Sequence, residues 1–358
     1  MIFGSDNQSG ASPQVLKAIT DAYSGTSDDA YGDDSYCAKA TETFKQVFET
    51  DVSVFYVVSG TAANTLALSA MLKPWEGVIC HHQAHILLDE SSGPALFTGG
   101  AALLPVPSKN LKLTPSALTS MLERLPNEPP HNIRPGAISV SQASECGQIY
   151  SVNEIHSLCA VAKSADLLVH MDGARFANAV AELGCKPADI TWRAGVDVLC
   201  LGATKNGAVA AEAIIFFNHD LAEDFNYRLK RTGHLVSKGR LFGAQFQAWL
   251  QGDHWLTLAG DANRAAVYLR ECLNTLEGIR PAFDCQSNES FVILKKERYD
   301  NLLKEGVSMY SWYLDTLPPE IEIQEDEVLA RMVTSFTTKN SEIDRFVQLW
   351  LSYDRTDK

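Results

Sequence analysis

The stretch "LLVHMDGARF", residues 167–176, joins an apolar run to a short polar turn and indicates the fold of the chain. Residues 167–169 have the pattern of a buried strand, and the run ends in an aspartate, a glycine and an arginine. α/β proteins place their ligand sites just beyond the carboxyl ends of such strands. Asp172 and Arg175 are therefore candidate functional residues.

Apolar runs of the same kind occur on both sides of this stretch and alternate with helical patterns. They are VSVFYVVSG (52–60), GVICHH (77–82), AALLPV (101–106), GAISVSQ (136–142), VDVLCLG (196–202) and EAIIFFN (212–218). Helical periodicity covers about residues 13–23 and 38–48 and returns between several of the runs. This alternation predicts a mostly parallel sheet with helices on both faces, spanning roughly residues 50–220.

The pattern changes after residue 252. A long helical stretch, 253–273, precedes two short β-type runs, SFVILKK (290–296) and RMVTSFTT (331–338). We therefore predict three parts: an N-terminal segment, 1–15, that contributes to the active site, a large α/β domain, 16–252, and a small α+β domain, 253–358. At 358 residues with 46% hydrophobic composition, the chain is long enough for one large core and a smaller one.

Charge and cysteine content restrict the possible partners and compartment. The chain has 30 basic and 44 acidic residues, a net charge of −14, which disfavours nucleic acid and anionic membranes as partners. Eight cysteines are scattered without a CxxC pair, as in a reduced protein. The first residues lack the pattern of a secretion signal, and no apolar run approaches the length of a membrane span. These features predict a cytoplasmic protein.

A second polar turn, GATKNG (202–207), follows the run VDVLCL as DGARF follows LLVHM. Desolvation at a buried strand end favours the neutral, nucleophilic form of a lysine, so Lys205 could form a Schiff base. An isolated lysine in a turn is more often a simple exposed residue. Asp172 changes this balance, because it lies thirty-three residues upstream at the end of a neighbouring strand.

Pyridoxal phosphate (PLP) requires a lysine for its aldehyde, a carboxylate for its ring nitrogen and a phosphate site. The turn SGTAAN (59–64) can supply the third part, since it joins a strand to the start of a helix. Free N–H groups and the helix dipole bind phosphate there, and the residues concerned are Ser59, Gly60 and Thr61. Alone, such a turn is more often an N-cap; together, the three features predict a PLP site.

The segment HHQAHILLDE (81–90) contains three histidines after a predicted strand. No HExxH pattern or cysteine partner accompanies them, so we predict no metal site. A histidine that stacks on the cofactor or transfers a proton is the favoured interpretation, with His85 as the candidate. Asp89 lies four residues on, where a helix would let its carboxylate orient the His85 ring. The alternative is a polar helix start without a functional role.

Taken together, these residues resemble the low-specificity L-threonine aldolases, and among them the bacterial branch that includes phenylserine aldolases. The resemblance covers nearly the whole chain. The motifs that carry it occur in the family's order: SDN (5–7), YGDDSYCAKA (31–40), SGTAAN (59–64), AHILLDE (84–90), SQASECGQIYS (141–151), HMDGARFANA (170–179), GATKNG (202–207) and ARMVTSF (330–336). Any one motif is weak, whereas the ordered set is specific.

The resemblance implies a PLP-dependent enzyme of fold type I that cleaves β-hydroxy-α-amino acids to glycine and an aldehyde. It implies that Lys205 binds the cofactor aldehyde, Asp172 the pyridinium nitrogen and Arg175 the 3-oxygen. The phosphate would be held by Gly60 and Thr61, with Thr204 as a helper.

For the substrate, the resemblance implies that Ser5 and Arg331 bind the carboxylate. His85 would stack on the ring and is our candidate base, oriented by Asp89 or acting through water. Tyr31 would reach the site, often from a neighbouring subunit, in a homotetramer.

Two motifs depart from the family pattern. Where many members have KxTGGGxRxxG, this chain has KRTGHLVSKGR (230–240), which places Ser237 at the arginine position and leaves Lys230, Arg231 or Lys238 as substitutes. Where some members have a histidine in an ENTHNG-like loop, this chain has Glu145 in SQASECG, so more weight falls on His85 and Asp89 as proton-transfer groups.

Two alternatives remain open. A β-eliminating lyase or amino-acid racemase of the same fold would share the lysine, the aspartate and the phosphate site. A dinucleotide-binding or non-catalytic protein would use the SGT turn for another phosphate, but the chain lacks GxGxxG after its first strand.

Overall fold

The computed structural model describes residues 1–25, 27–108 and 111–356. Positions 357 and 358 of the predicted small domain lie outside these residues. The main sheet has seven strands in the order β1-β7-β6-β5-β4-β2-β3. Their bounds are β1 (Ser53–Val57), β2 (Glu76–His81), β3 (Ala102–Val106), β4 (Arg134–Ser141), β5 (Leu168–Gly173), β6 (Val198–Gly202) and β7 (Glu212–Phe216).

The predicted mostly parallel sheet is confirmed. Strands β2 to β6 pair in parallel, and β7 alone runs antiparallel to both of its neighbours, β6 and β1. All seven predicted runs are strands. The central strands β2, β6 and β7 are buried along their whole length, as expected for a sheet with helices on both faces.

Apolar clusters on the two faces of the main sheet form its core. The larger cluster includes Phe48, Phe176, Trp249 and Trp255, and the second includes Phe216. The helices of this part are α1 (Pro13–Tyr23), α2 (Ser35–Phe48), α3 (Gly60–Met71), α4 (His85–Leu88), α5 (Gly93–Thr98), α6 (Pro115–Arg124), α7 (Val152–Ser164), α8 (Phe176–Leu183), α9 (Phe225–Arg231) and α10 (Arg240–Leu250).

A four-stranded antiparallel sheet forms the core of the C-terminal part, in the order β10-β11-β9-β8. Its elements are α11 (His254–Leu273), β8 (Ile279–Pro281), β9 (Glu289–Lys295), α12 (Lys296–Lys304), β10 (Tyr310–Ser311), β11 (Glu327–Val333) and α13 (Asn340–Thr356). The predicted strand at 331–338 is wrong in its bounds. β11 begins at Glu327, and pairing with β9 ends at Val333 because β9 itself begins opposite, at Glu289.

The N-terminal segment belongs physically to this smaller part. Ile2 forms a bridge with Ser308, and the buried Phe3 joins the apolar cluster between the small sheet and its helices. Next in the chain, a 3-10 turn at Asp6–Gln8 carries the segment back toward the main sheet. The first eight residues therefore connect the two sheets.

Candidate active site

A cavity of about 260 Å³ lies where strands β4, β5 and β6 end, beside the first turn of α3. Predicted cofactor residues from four separate segments meet there. The cavity is lined by Asn7, Val58, Ser59, Gly60, Thr61, Asn64, His85, Ser141, Ala143, Glu145, Asp172, Ala174, Arg175, Thr204, Lys205 and Glu212. Parallel strands bring these residues together because their carboxyl ends share one edge of the sheet.

Asp172 is buried at the end of β5 and is held on both carboxylate oxygens. Its Oδ2 accepts from Asn64 Nδ2 at 2.8 Å, and its Oδ1 accepts from the Ala174 N–H at 3.0 Å. Burial raises the pKa of Asp172, but the charge of His85, the hydrogen bond from the Ala174 N–H and the charge of Lys205 lower it below its ordinary value. The carboxylate is therefore ionised at neutral pH and suited to a cationic partner.

Lys205 lies just beyond β6 in a 3-10 turn, with its side chain on the cavity wall. The preceding Thr204 accepts from the Ala211 N–H at 3.1 Å, which closes the turn against the start of β7. Glu212, the first residue of β7, also lines the cavity and hydrogen-bonds to Thr204. Burial raises the pKa of Glu212 to about 7, so the carboxyl group exchanges a proton near neutrality.

The first turn of α3 faces the same cavity. Ser59 caps the helix by accepting from the Ala62 N–H at 3.3 Å. The N–H groups of the first helical residues, Gly60 and Thr61, have no intrahelical acceptor and point out of the helix start. The start of this twelve-residue helix has the geometry that binds anions, and phosphate binding there stays a prediction.

His85 lines the cavity, but its carboxylate partner differs from the predicted one. His85 Nδ1 lies 2.9 Å from Glu90 Oε1, whereas Asp89 is exposed. The prediction that Asp89 orients the ring is wrong because α4 ends at Leu88: Asp89 caps it through its own N–H, and the chain turns Glu90 inward. Burial lowers the pKa of His85, but the hydrogen bond to Glu90 and the charge of Asp172 raise it overall.

Asn64 links the two acidic partners of the site. Its Nδ2 donates both to Glu90 Oε1 and to Asp172 Oδ2, each at 2.8 Å. The side-chain atoms of His85, Glu90 and Asp172 that could ligate a metal lie within 4.8 Å of one another, close enough to hold an ion. These atoms already bond to each other or to Asn64, so the geometry is that of a hydrogen-bond network. The absence of a metal stays a prediction.

Arg175 lines the cavity with its guanidinium held by an acid from the N-terminal segment. Its Nε and Nη2 donate to the two oxygens of Asp6 at 2.7 and 3.0 Å, and both side chains are buried. Its Nη1 lies 3.4 Å from Glu289 Oε1. Burial lowers the pKa of Arg175, but the two carboxylates raise it overall, so the arginine is a permanent cation.

The predicted carboxylate-binding residues lie next to this arginine. Arg331, in β11, stacks its guanidinium on Trp312 at 4.1 Å and donates to the Gly4 carbonyl at 3.5 Å. Ser5 follows Gly4, and its hydroxyl accepts from the Asn7 N–H at 3.2 Å. The structure therefore brings Ser5 and Arg331 close together, but neither is among the residues that line the cavity.

Glu145 lies in the loop where some family members have a histidine. Its Oε1 accepts from Ser141 Oγ at 2.6 Å and from the His85 N–H at 2.8 Å. Burial raises the pKa of Glu145 above its ordinary value. A second acid that can hold a proton therefore lies beside His85 in the cavity wall.

Tyr31 lies outside this cavity, against the segment that carries the other departure from the family. Its N–H donates to the Ser237 carbonyl at 2.9 Å, and Lys230 Nζ lies 5.2 Å from the centre of its ring. Tyr31, with half of its surface exposed, lines a second cavity. Lys230, Arg231, Ser237 and Lys238 are exposed in the same region.

The donor set fits pyridoxal phosphate. One cavity contains a lysine amine, an ionised carboxylate with a fixed orientation and a helix start with free N–H groups. These are the three groups that the cofactor requires for its aldehyde, its ring nitrogen and its phosphate.

Four contributors to this site were not found from the sequence: Asp6, Asn64, Glu90 and Glu212. Asn64 and Glu90 stood inside motifs that were recognised, but the direction of their side chains could be known only once the bounds of α3 and α4 were known. Asp6 also stood inside a recognised motif, SDN, but its partner Arg175 is 169 residues away, and Glu212 stood at the start of a predicted strand without a motif of its own. Within the described residues, none of the helices combines the length and the apolar character needed to cross a membrane.

Known proteins are similar to this chain over most of its length. The family model described as beta-eliminating lyase matches residues 3–296. The chain is 42% identical to the low specificity L-threonine aldolase of Pseudomonas aeruginosa over 87% of this chain and 89% of that protein. Threonine aldolase from Leishmania major superposes with a TM-score of 0.90 and 29% identity, covering 98% of this chain and 99% of that one.

A more distant match extends the likeness in fold. Serine palmitoyltransferase from S. paucimobilis, solved with bound PLP, has a TM-score of 0.66 at 17% identity and covers 99% of this chain and 87% of its own. At that identity the match shows the fold alone, which is the predicted fold type I. The chain therefore belongs to the beta-eliminating lyase family and, within it, to the low-specificity L-threonine aldolases.

Proposed function

We propose that the protein cleaves L-β-hydroxy-α-amino acids of the threonine, allo-threonine and phenylserine type to glycine and an aldehyde, with pyridoxal phosphate as cofactor. The observation that carries the proposal is the meeting of Lys205, Asp172 and the start of α3 in one cavity. When bound, the cofactor supplies an electron sink for the bond that breaks at Cα.

The residues of the cavity supply the remaining chemistry. Lys205 binds the cofactor aldehyde, and the ionised Asp172 keeps the ring nitrogen protonated. Ser59, Gly60, Thr61 and Thr204 hold the phosphate.

Arg175 lies where it can contact the 3-oxygen of the ring, because both it and Asp172 line the cavity. Arg331 and Ser5 bind the substrate carboxylate and set the rotation about Cα, which decides which bond is aligned for cleavage.

His85 accepts the proton of the β-hydroxyl group. Its Nδ1 faces Glu90, so the hydrogen bond between them leaves Nε2 as the free acceptor. The neighbouring Glu145 fixes the backbone of His85, because its Oε1 accepts from the His85 N–H. Asp89 has no part in this path.

We further propose a homotetramer in a reducing, cytoplasmic compartment. Tyr31 and the 230–240 segment contact each other outside the Lys205 cavity, which suits a role in the site of a neighbouring subunit. Lys230, beside Tyr31, would then replace the family arginine at Ser237 as a phosphate contact. All eight cysteines are free thiols, which supports a reducing compartment.

The first test is the absorbance spectrum of the purified protein, followed by reaction with DL-threo-phenylserine. We expect a yellow protein that releases benzaldehyde and glycine. Lys205→Ala should lose both the visible band and benzaldehyde release, and a variant that retains both would refute the proposal.

The family description favours one second candidate, β-elimination. Elimination would give ammonia and a keto acid in place of glycine and an aldehyde. Product analysis with threonine and phenylserine distinguishes the two reactions, and a racemase would change only the configuration of the amino acid.

A further inference from the structure

Glu289, the first residue of β9, is a buried acid that the proposed reaction does not use. Its side chain has no exposed surface, and neither carboxylate oxygen has a hydrogen-bond partner in the described part of the chain. Buried carboxylates normally bond to donors, because losing water without compensation is costly. Glu289 therefore requires a functional or electrostatic explanation.

Two arginines from different elements face Glu289 Oε1. Arg175 Nη1 lies at 3.4 Å and Arg331 Nη1 at 3.9 Å, so both attract the carboxylate without a hydrogen bond of normal length. Asp6 already binds Arg175 through two hydrogen bonds. Among the described residues, no carboxylate other than that of Glu289 lies within 4 Å of Arg331.

Arg331 is consequently a cation with an incomplete set of partners. Among the described residues its Nε has no hydrogen-bond acceptor, and the Glu289 oxygens have no donor, although the Arg331 side chain is at least half-buried. A carboxylate that binds Arg331 would complete this set. It would also bring a second negative charge next to Glu289.

Four charged side chains lie together here and form one group: Asp6, Arg175, Glu289 and Arg331. With Glu289 ionised, Arg175 and Arg331 balance Asp6 and Glu289, and the group is neutral. An arriving carboxylate leaves one negative charge in excess in a buried region, unless one acid takes up a proton. Asp6 is held ionised by its two bonds to Arg175, whereas Glu289 has no hydrogen bond that favours its charged form.

We propose that Glu289 takes up one proton when a carboxylate ligand binds Arg331. The ligand carboxylate then replaces Glu289 as the counter-ion of the arginine. This inference rests on the proposed role of Arg331 in substrate binding. Glu289 is then a positioning residue. When it is ionised, it competes with the substrate carboxylate for Arg331, and when it is protonated, Arg331 is free to bind the substrate carboxylate.

The other titratable groups around Glu289 support this assignment. Burial raises the pKa of Glu289 itself, which places its titration nearer to neutrality. Burial also raises the pKa of the facing Cys285 thiol to about 12 and that of Cys146 well above its ordinary value, so both stay neutral. Lys205 is the remaining charged group that acts on Glu289, and the cofactor occupies its amine in the loaded enzyme.

The experiment is a calorimetric titration of the PLP-loaded protein with 3-hydroxybutyrate, a β-hydroxy carboxylate that has no amino group to react with the cofactor. The heat of binding is measured from pH 6 to 9 in two buffers of different ionisation enthalpy, which gives the number of protons taken up. The visible band, recorded in parallel, shows any proton change at Lys205.

We expect the wild-type protein to take up about one proton at the pH where Glu289 is ionised before binding. Its dissociation constant should rise by up to about tenfold per pH unit above that point. Glu289→Gln should take up no such proton and should bind the ligand more tightly than the wild type at high pH. A purely structural role of Glu289 predicts the opposite, a weaker site at every pH.

Glu327→Gln is the matched control, because Glu327 lies at the other end of the same strand pair and faces Arg280 at the surface. It should behave as the wild type does. Binding of the wild type without proton uptake, or equal uptake by Glu289→Gln, overturns the inference. Benzaldehyde release tests the proposed function separately: its presence without proton-coupled binding leaves the function standing and removes the role of Glu289.

Discussion

Replacing Asp6 by asparagine should destabilise the protein, because Asp6 and Arg175 form a buried pair with two hydrogen bonds. Asp6 is 1% exposed and Arg175 9%, so the arginine cannot turn to water when it loses its partner. Breaking a buried pair by removing one charge costs about 3–5 kcal/mol. Asparagine keeps one acceptor oxygen, and Glu289 lies 3.4 Å from the arginine, so we expect a cost near the lower end, ~3 kcal/mol.

The assay is thermal unfolding of the cofactor-free protein. At about 2.1 cal/mol/K per residue, a chain of 358 residues has an unfolding entropy of ~0.75 kcal/mol/K, so a cost of ~3 kcal/mol lowers Tm by about 4 °C. Asp21→Asn is the matched control, since Asp21 pairs with Lys17 at 2.6 Å on the surface. An exposed pair contributes less than about 1 kcal/mol, or about 1 °C here.

The pH dependence of stability is a second test of the Asp6–Arg175 pair. Burial raises the pKa of Asp6, but Arg175 and Lys205 lower it below the ordinary value of 3.8. A lowered pKa of an acid contributes stability above the unfolded-state value and loses it as the pH falls through the folded-state value. The difference between wild type and Asp6→Asn should therefore be constant from pH 8 to about 4. Equal Tm shifts for Asp6→Asn and Asp21→Asn would refute the reasoning.

Three further predictions follow from the site and its packing. Glu90→Gln should lower kcat by about 10–100-fold through the loss of the carboxylate charge that orients His85, whereas Asp89→Asn should leave kcat unchanged; equal effects would contradict the assignment. The pKa of Glu212 is raised from 4.5 to about 7, so ionisation of its carboxyl group opposes folding. As the pH rises between these two values, Glu212→Gln should become more stable than the wild type in urea unfolding, by ~3 kcal/mol at most. A stability difference that does not depend on pH would argue against this assignment. Gly243→Ala should cost about 1–3 kcal/mol, because a Cβ there meets the backbone of α2; an unchanged Tm would show that α2 and α10 can separate freely.

The sequence predicted those parts of the site that follow directly from strand ends. Asp172 and Lys205 each come after an apolar run, and parallel strands must bring such positions to one edge of the sheet. The start of α3 could be predicted for the same reason, since the turn at Ser59 joins a strand to a helix. These residues depend only on local pattern and on the topology that the alternation implies.

Residues whose roles depend on a helix bound or on distant contacts could not be predicted. Asp89 was predicted as the partner of His85 on the assumption that the helix continues through it, but α4 ends at Leu88 and Glu90 takes the place. A shift of one residue rotates a side chain by about 100° about a helix axis, so the assignment depends on where the helix ends. Asp6 and Glu289 meet Arg175 from the two ends of the chain, and no periodicity relates them. The β10 and β8 strands have two and three residues, too few to show a pattern.

The connection made by the first eight residues also has a consequence for the order in which the site forms during synthesis. Met1 and Phe3 bond to residues 306, 308 and 333, which follow every strand of the main sheet in the chain. The main sheet can form earlier, because its last strand ends at Phe216. The segment with Ser5 and Asp6 can therefore dock only after residues 306–333 have been synthesised. We therefore expect the proposed substrate-binding side of the site to form after its PLP-binding edge.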